Sequence, residues 1–186
     1  MNQDNVIVKL EWNDFFKRLQ EYGNTLVNEK RALVLAILAR DSHTIIHRII
    51  SDFPAWIYDE FPIKISVIQI FAILPESIGS THKDGLNRKS AFNIPLTGAD
   101  LGYMDWFDMD IVERKIDTKY TQVRLTDHDK IDYSPICRVR IDKPSLVNTD
   151  VWHRVDNSDN KNFRYMLSVR FESNPSFSEL KEQFPL

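Results

Sequence analysis

His82-Lys83-Asp84 places an imidazole and a carboxylate two residues apart, just after the mostly apolar run 65–74. In an extended segment, residues i and i+2 project to the same side, so one short strand or turn can offer both groups to a single divalent metal. Two histidines and one carboxylate make up the ligand set of mononuclear iron(II) centres of the facial type, so a third ligand must come from elsewhere in the chain. The candidate is His153 in Asp150-Val151-Trp152-His153-Arg154-Val155, which precedes the turn-rich Asp156-Asn157-Ser158-Asp159-Asn160.

Arg164 follows in the last strand-like stretch. Alternation there puts Phe163, Tyr165, Leu167, Val169 and Phe171 on one face and Arg164, Met166, Ser168 and Arg170 on the other. If the second face lines an interior, Arg164 needs an anionic partner, and a carboxylate matches the guanidinium fork best. An internal salt bridge or a plain solvated face is the alternative for Arg164 and, more so, for Arg170.

His-x-Asp alone is a common chance pattern, and other histidines offer competing clusters. His43 and His47 stand at i and i+4 in a stretch read as a helix capped by Ser42 and ended by Pro54, but no third ligand accompanies them. Asp127-His128-Asp129 has polar neighbours and reads as an exposed turn.

The elements that must position these residues follow from the rest of the chain. With 186 residues and 42% hydrophobic content, one domain can bury a substantial core. Net charge is −3, with 24 basic residues scattered among 27 acidic ones, so no footprint for nucleic acid stands out. A single cysteine, Cys137, excludes an internal disulfide and a thiolate-built zinc site. The polar N-terminus has no signal-peptide pattern, and the apolar runs 32–39 and 65–74 are far shorter than the ~20 residues a membrane helix requires. A soluble, cytoplasmic protein is expected.

Trp12, Phe15, Phe16 and Leu19 predict an amphipathic helix over 11–22 that ends near Gly23. Residues 31–39 are apolar on all sides and fit a buried strand or a buried helix. From residue 63 the pattern becomes that of strands, with candidates at 64–74, 90–96, 119–125, 136–141, 145–155 and 162–172. Between them, 97–118 reads as an aromatic and acidic loop or lid, in which Tyr103, Trp106 and Phe107 could face a substrate; an edge strand is the other reading. Trp152 points away from His153 by alternation and is assigned to packing. The division expected is a helical part at about 1–60, a β core at about 61–172 and a polar outer tail at 173–186, an α+β layout with helices covering one sheet.

The order His82-x-Asp84, Ala91-Phe92-Asn93-Ile94-Pro95-Leu96, Asn148-Thr149-Asp150-Val151-Trp152-His153-Arg154-Val155-Asp156-Asn157, then Arg164-x-x-Leu167-Ser168-Val169 resembles the iron(II)- and 2-oxoglutarate-dependent dioxygenases. Among these it is most similar to the aspartyl/asparaginyl β-hydroxylase type, over roughly residues 64–172. The resemblance implies a double-stranded β-helix, a jelly roll or cupin-like barrel, with iron at one open end. It implies His82, Asp84 and His153 as iron ligands, Arg164 on the distal carboxylate of 2-oxoglutarate, and Asn93 and Arg88 as further cosubstrate contacts. Dioxygen would be the second cosubstrate, and a small molecule or peptide side chain would be hydroxylated with succinate and carbon dioxide as co-products. Members of the aspartyl type can lack the carboxylate ligand, whereas Asp84 is present. A non-catalytic cupin-like binding module is the alternative, and a cupin isomerase or a dioxygenase without 2-oxoglutarate is a third, less favoured because such sites use more histidines.

Overall fold

The computed structural model describes residues 3–28, 54–79, 81–84, 88–98, 102–108 and 134–184, together with the backbone of short strands at 35–36, 45–50, 115–117 and 122–124. In chain order these form β1 (Ile7–Lys9), α1 (Asp14–Asn28), β2 (Leu35–Ala36), β3 (Ile45–Ile50), α2 (Ala55–Glu60), β4 (Ile65–Ile73), β5 (His82–Lys83), β6 (Ser90–Pro95) and β7 (Tyr103–Phe107). They continue through β8 (Lys115–Asp117), β9 (Gln122–Arg124), β10 (Cys137–Arg140), β11 (Ser145–Asn148), β12 (Trp152–Asp156), β13 (Arg164–Phe171) and α3 (Phe177–Gln183).

Alternation along β13 divides the molecule into two cores. Leu167, Val169 and Phe171 join Phe92, Ile94, Phe16, Leu19 and Leu180 in a core between one sheet and the helices. Met166 points the other way, into a core with Ile7, Ala91, Met104, Trp106, Val139 and Val147, drawn from both sheets. A strand buried on both faces belongs in the middle of a sheet, and β13 lies between β6 and β4. The seven-stranded sheet runs β1-β11-β6-β13-β4-β3-β2 and the six-stranded sheet β10-β7-β12-β5-β9-β8. Two mostly antiparallel sheets enclosing a shared interior, with helices on the outer face of one, are consistent with the double-stranded β-helix expected from the sequence.

Several expectations are corrected. The stretch read as a Ser42-capped helix is instead β3, paired with β4 from Ile45↔Ile73 to Ile50↔Ile68. Four isoleucines in six residues favour the pleated conformation, because their branched Cβ atoms crowd a helical turn. His47 is therefore on a strand, and no i,i+4 histidine pair forms on a helix; His43 and the Asp127-His128-Asp129 cluster lie outside the described residues. The described part of the first sixty residues thus contributes three strands as well as helices. Pro54 does not end a helix but precedes α2.

α1 continues past Gly23 to Asn28. Gly23 is a contact point rather than a terminus, since a Cβ there would stand 2.7 Å from Leu96 Cδ2. The helix is tied to the end of β6 by Gln20 Nε2 donating to Pro95 O (2.7 Å) and by Thr97 N donating to Asn24 Oδ1 (3.0 Å).

The expected strand 145–155 is two strands, β11 in the larger sheet and β12 in the smaller, with a turn between them. The segment 97–118 is not a lid throughout: β7 lies between β10 and β12, and its Met104 and Trp106 are buried in the inter-sheet core. The tail is not an outer polar segment either. Ser176 caps α3 through a capping box with Glu179, and Phe177, Leu180 and Phe184 are buried in the helix-side core. Phe184 stacks on Phe92 with ring centroids 5.5 Å apart. No helix among the described residues is long and apolar enough to cross a membrane.

Candidate metal centre

β5 and β12 are antiparallel neighbours in which His82 and His153 face each other directly. Side chains opposite one another in an antiparallel pair share a face and approach closely, and the two imidazole rings lie with centroids 4.5 Å apart. Asp84 follows just past β5, where its backbone N donates to Thr149 O (3.1 Å). Nε2 of His82 stands 3.4 Å from Asp84 Oδ1. One donor atom from each of His82, Asp84 and His153 can be chosen so that all lie within 4.8 Å of one another, and all three residues are largely buried.

The ligand orientations are set from behind. Nδ1 of His153 and Val151 O are 2.8 Å apart, so a proton on Nδ1 leaves Nε2 as the free lone pair. Burial, helped by the neighbouring His82, lowers the His153 pKa to about 4, which keeps the ring neutral and able to bind a cation near neutral pH. Burial by itself would raise the Asp84 carboxyl. The Arg88 guanidinium and a hydrogen bond with His82 outweigh it and hold the group well below the usual carboxylate range. The donor set is therefore an anionic oxygen with a neutral nitrogen fixed beside it, as a hard-to-borderline divalent ion requires, and these residues fit iron(II).

Asp84 also opens a buried polar chain. Arg88 Nη1 pairs with Asp84 Oδ2 at 3.0 Å, and Arg88 Nη2 donates to Ser168 Oγ at 2.5 Å. The Ser168 hydroxyl in turn donates to Asn93 Oδ1 at 2.6 Å. Thr149 holds this assembly together, its hydroxyl donating to Arg88 O (2.7 Å) and its N–H to Lys89 O (3.1 Å). Arg88 and Asn93, both singled out in the sequence, thus belong to one network with the carboxylate. Ser168 and Thr149 were missed as connectors, although Ser168 stands in the inward set of the β13 alternation.

Arg164 is 1% exposed and faces inward, as the alternation implied, but makes no ion pair with the triad. Its Nη1 donates to Tyr103 O (2.9 Å), and its buried Nε has no partner among the described residues. Tyr103 pairs with Asp156, whereas Trp106 pairs with His153. Arg164 therefore sits about three residues, or roughly 10 Å, further along the interior than His153. Burial lowers its pKa to about 10, offset in part by Asp156, so the group stays cationic. Gly102 makes room for it: a Cβ there would lie 2.8 Å from Arg164 Cδ and 2.9 Å from Asn157 Oδ1.

Trp152 is buried on the face opposite His153, in keeping with a packing role. Of the residues expected to face a substrate, Trp106 is interior and its Nε1 donates to Asn148 O (3.0 Å). Tyr103 and Phe107 lie on the outer side of β7, under Arg138 and Arg154 respectively.

No family model and no curated protein matches the sequence. Solved structures do. The non-heme alpha-ketoglutarate-dependent carbocyclase SnoK from nogalamycin biosynthesis matches with a TM-score of 0.56 at 12% identity, over 90% of this chain and 79% of that one. AviO1 from Streptomyces viridochromogenes matches with a TM-score of 0.50 at 10% identity, over 92% of each chain. EvdMO1 matches with a TM-score of 0.49 at 11% identity, and this chain spans 46% of its length. At these identities the likeness is one of fold.

Proposed function

We propose that the protein is an iron(II)- and 2-oxoglutarate-dependent oxygenase that hydroxylates a small metabolite or a peptidyl side chain. The reading is carried by His82, Asp84 and His153, whose donor atoms converge within 4.8 Å in an interior that also holds the buried cation Arg164. Its fold neighbour SnoK is named as alpha-ketoglutarate dependent, which supports the same cosubstrate. Iron(II) with 2-oxoglutarate and dioxygen would supply the oxidation, one oxygen atom going to the substrate and one to succinate as carbon dioxide leaves.

The chain's own residues bind and orient. His82, Asp84 and His153 would hold the metal, with one donor atom from each. Arg88 holds Asp84 by its second oxygen and keeps it ionised. Arg164, further along the interior with a buried, unpartnered Nε, would present its guanidinium to the far carboxylate of a five-carbon diacid. The apolar walls Met104, Trp106 and Met166 exclude water between the two. The sequence order resembles the aspartyl/asparaginyl β-hydroxylase type, and Asp84 gives the ligand set a carboxylate that members of that type can lack.

The test is turnover of the cosubstrate. With iron(II), ascorbate and dioxygen, wild type should release succinate from 2-oxoglutarate even without a substrate, slowly, and His153→Ala should release none above the protein-free rate. Equal succinate from both proteins contradicts the reading and leaves a binding module of the same fold.

A further inference from the structure

Arg170 is the inward-facing residue of β13 that the metal and cosubstrate reading leaves without a role. It stands two positions beyond Ser168 on the same face, at the metal end of the strand. Its Cα pairs with Val67, and the register then shifts so that Phe171 pairs with Ile65. Such bulges turn neighbouring side chains and cluster beside active sites. The guanidinium lies near enough to Arg88 and Asp84 to feel both charges. Arg170 is half-buried, whereas Arg88 and Arg164 are buried, so it alone of the three borders the outside. Among the described residues it makes no ion pair, and its buried Nε has no hydrogen-bond partner.

Charge balance makes this orphan informative. Among the described residues, Asp84 is the carboxylate whose charge reaches Arg170, and Arg88 already binds it. A divalent cation on His82, Asp84 and His153 would take up the rest of the Asp84 charge, and the two charges of 2-oxoglutarate would be met by that cation and by Arg164. Arg170 is then left cationic, part-desolvated and adjacent to further positive charge. Such a group is costly unless an anion joins it, and Arg170 is the one of the three guanidinium side chains that is only part-buried. A planar guanidinium with Nε free matches the two oxygens of a carboxylate.

We propose that Arg170 is a specificity-determining residue that receives a carboxylate of the substrate, so that the site oxidises carboxylate-bearing molecules close to their acid group. The proposal rests on the oxygenase reading. It is tested on the anaerobic iron(II)–2-oxoglutarate complex, titrated with propanoate, with its neutral isostere propanamide and with inorganic phosphate at constant ionic strength, binding being followed by tryptophan fluorescence. The same titrations are run on the metal-free protein.

Propanoate should bind at least about tenfold more tightly than propanamide or phosphate, the ratio expected for a charge-assisted hydrogen bond. Arg170→Gln should abolish that preference and Arg170→Lys retain part of it, while Arg170→Gln changes the affinity for 2-oxoglutarate by less than about twofold. A propanoate preference that is absent from wild type or survives in Arg170→Gln overturns the proposal, as does a preference for phosphate. A tenfold loss of 2-oxoglutarate affinity in Arg170→Gln also overturns it, because Arg170 would then be a cosubstrate residue. If wild type forms no 2-oxoglutarate complex, the oxygenase reading fails instead, and the metal-free titration still decides whether Arg170 takes a carboxylate.

Discussion

Ser168 connects more of the site than its size suggests. Its hydroxyl accepts from Arg88 and donates to Asn93, so one side chain on β13 fixes the guanidinium that holds the Asp84 carboxylate. Ser168→Ala leaves a buried donor on Arg88 and a buried acceptor on Asn93, each costing about 1–3 kcal/mol. The variant should bind iron(II) roughly 10- to 100-fold more weakly, the usual effect of losing a group that orients a metal ligand, measurable by isothermal titration. Arg164→Ala should leave metal affinity intact and weaken 2-oxoglutarate at least about tenfold, with Arg164→Lys between the two.

Asp156 carries a pH prediction. Burial opposes its ionisation, but bonds from Ser158 and the charge of Arg138 prevail and lower its pKa. A carboxyl whose folded pKa lies below its unfolded value stabilises the fold above the unfolded pKa and loses that contribution as pH falls through the folded one. Between pH 7 and pH 3, Asp156→Asn should therefore lose less of its urea midpoint than wild type does.

At the scale of elements, the turn Thr149–Val151 decides the geometry, because it sends the chain from one sheet to the other and places His153 opposite His82. It was invisible as a break, since residues 145–155 contain neither glycine nor proline and keep a strand-like composition. Alternation on β13, by contrast, was fully legible: each inward residue it named lies on the interior face, because a strand packed on both sides has no freedom to roll. Ile45–Ile50 misled because its isoleucines fit one helical face as readily as two strand faces, and partner strands decided the outcome. The C-terminal helix was missed because Phe177, Leu180 and Phe184 are diluted among polar residues, although Ser176 and Glu179 spell a capping box.

That helix has a measurable worth. Ser176→Ala should lower stability by about 1 kcal/mol, and Leu180→Ala by about 2–5 kcal/mol, in urea unfolding. Gly102→Ala should act locally, because a methyl group 2.8 Å from Arg164 Cδ pushes the guanidinium off its bond to Tyr103 O. Its 2-oxoglutarate affinity should fall while its metal affinity stays near wild type.

Across the whole molecule, the two cores have separate duties. The helix-side core, rich in phenylalanine, closes the outer face of the larger sheet. The inter-sheet core gives way to polar residues as it approaches His82, Asp84 and His153, so the interior changes from packing to chemistry along its length. That His82, Asp84 and His153 could converge was legible because their types and order survive without knowledge of the topology. Their placement was not, since it depends on pairing between strands some seventy residues apart. The central claim is that these four residues hold one metal and one cosubstrate. Anaerobic titration of iron(II) and 2-oxoglutarate tests it most directly, through the weak visible charge-transfer band of the chelate. Wild type should develop the band at one equivalent of metal, His82→Ala should show none, and Arg164→Ala should need far more 2-oxoglutarate to reach it. A band of equal strength in all three proteins, or none in wild type, contradicts the account.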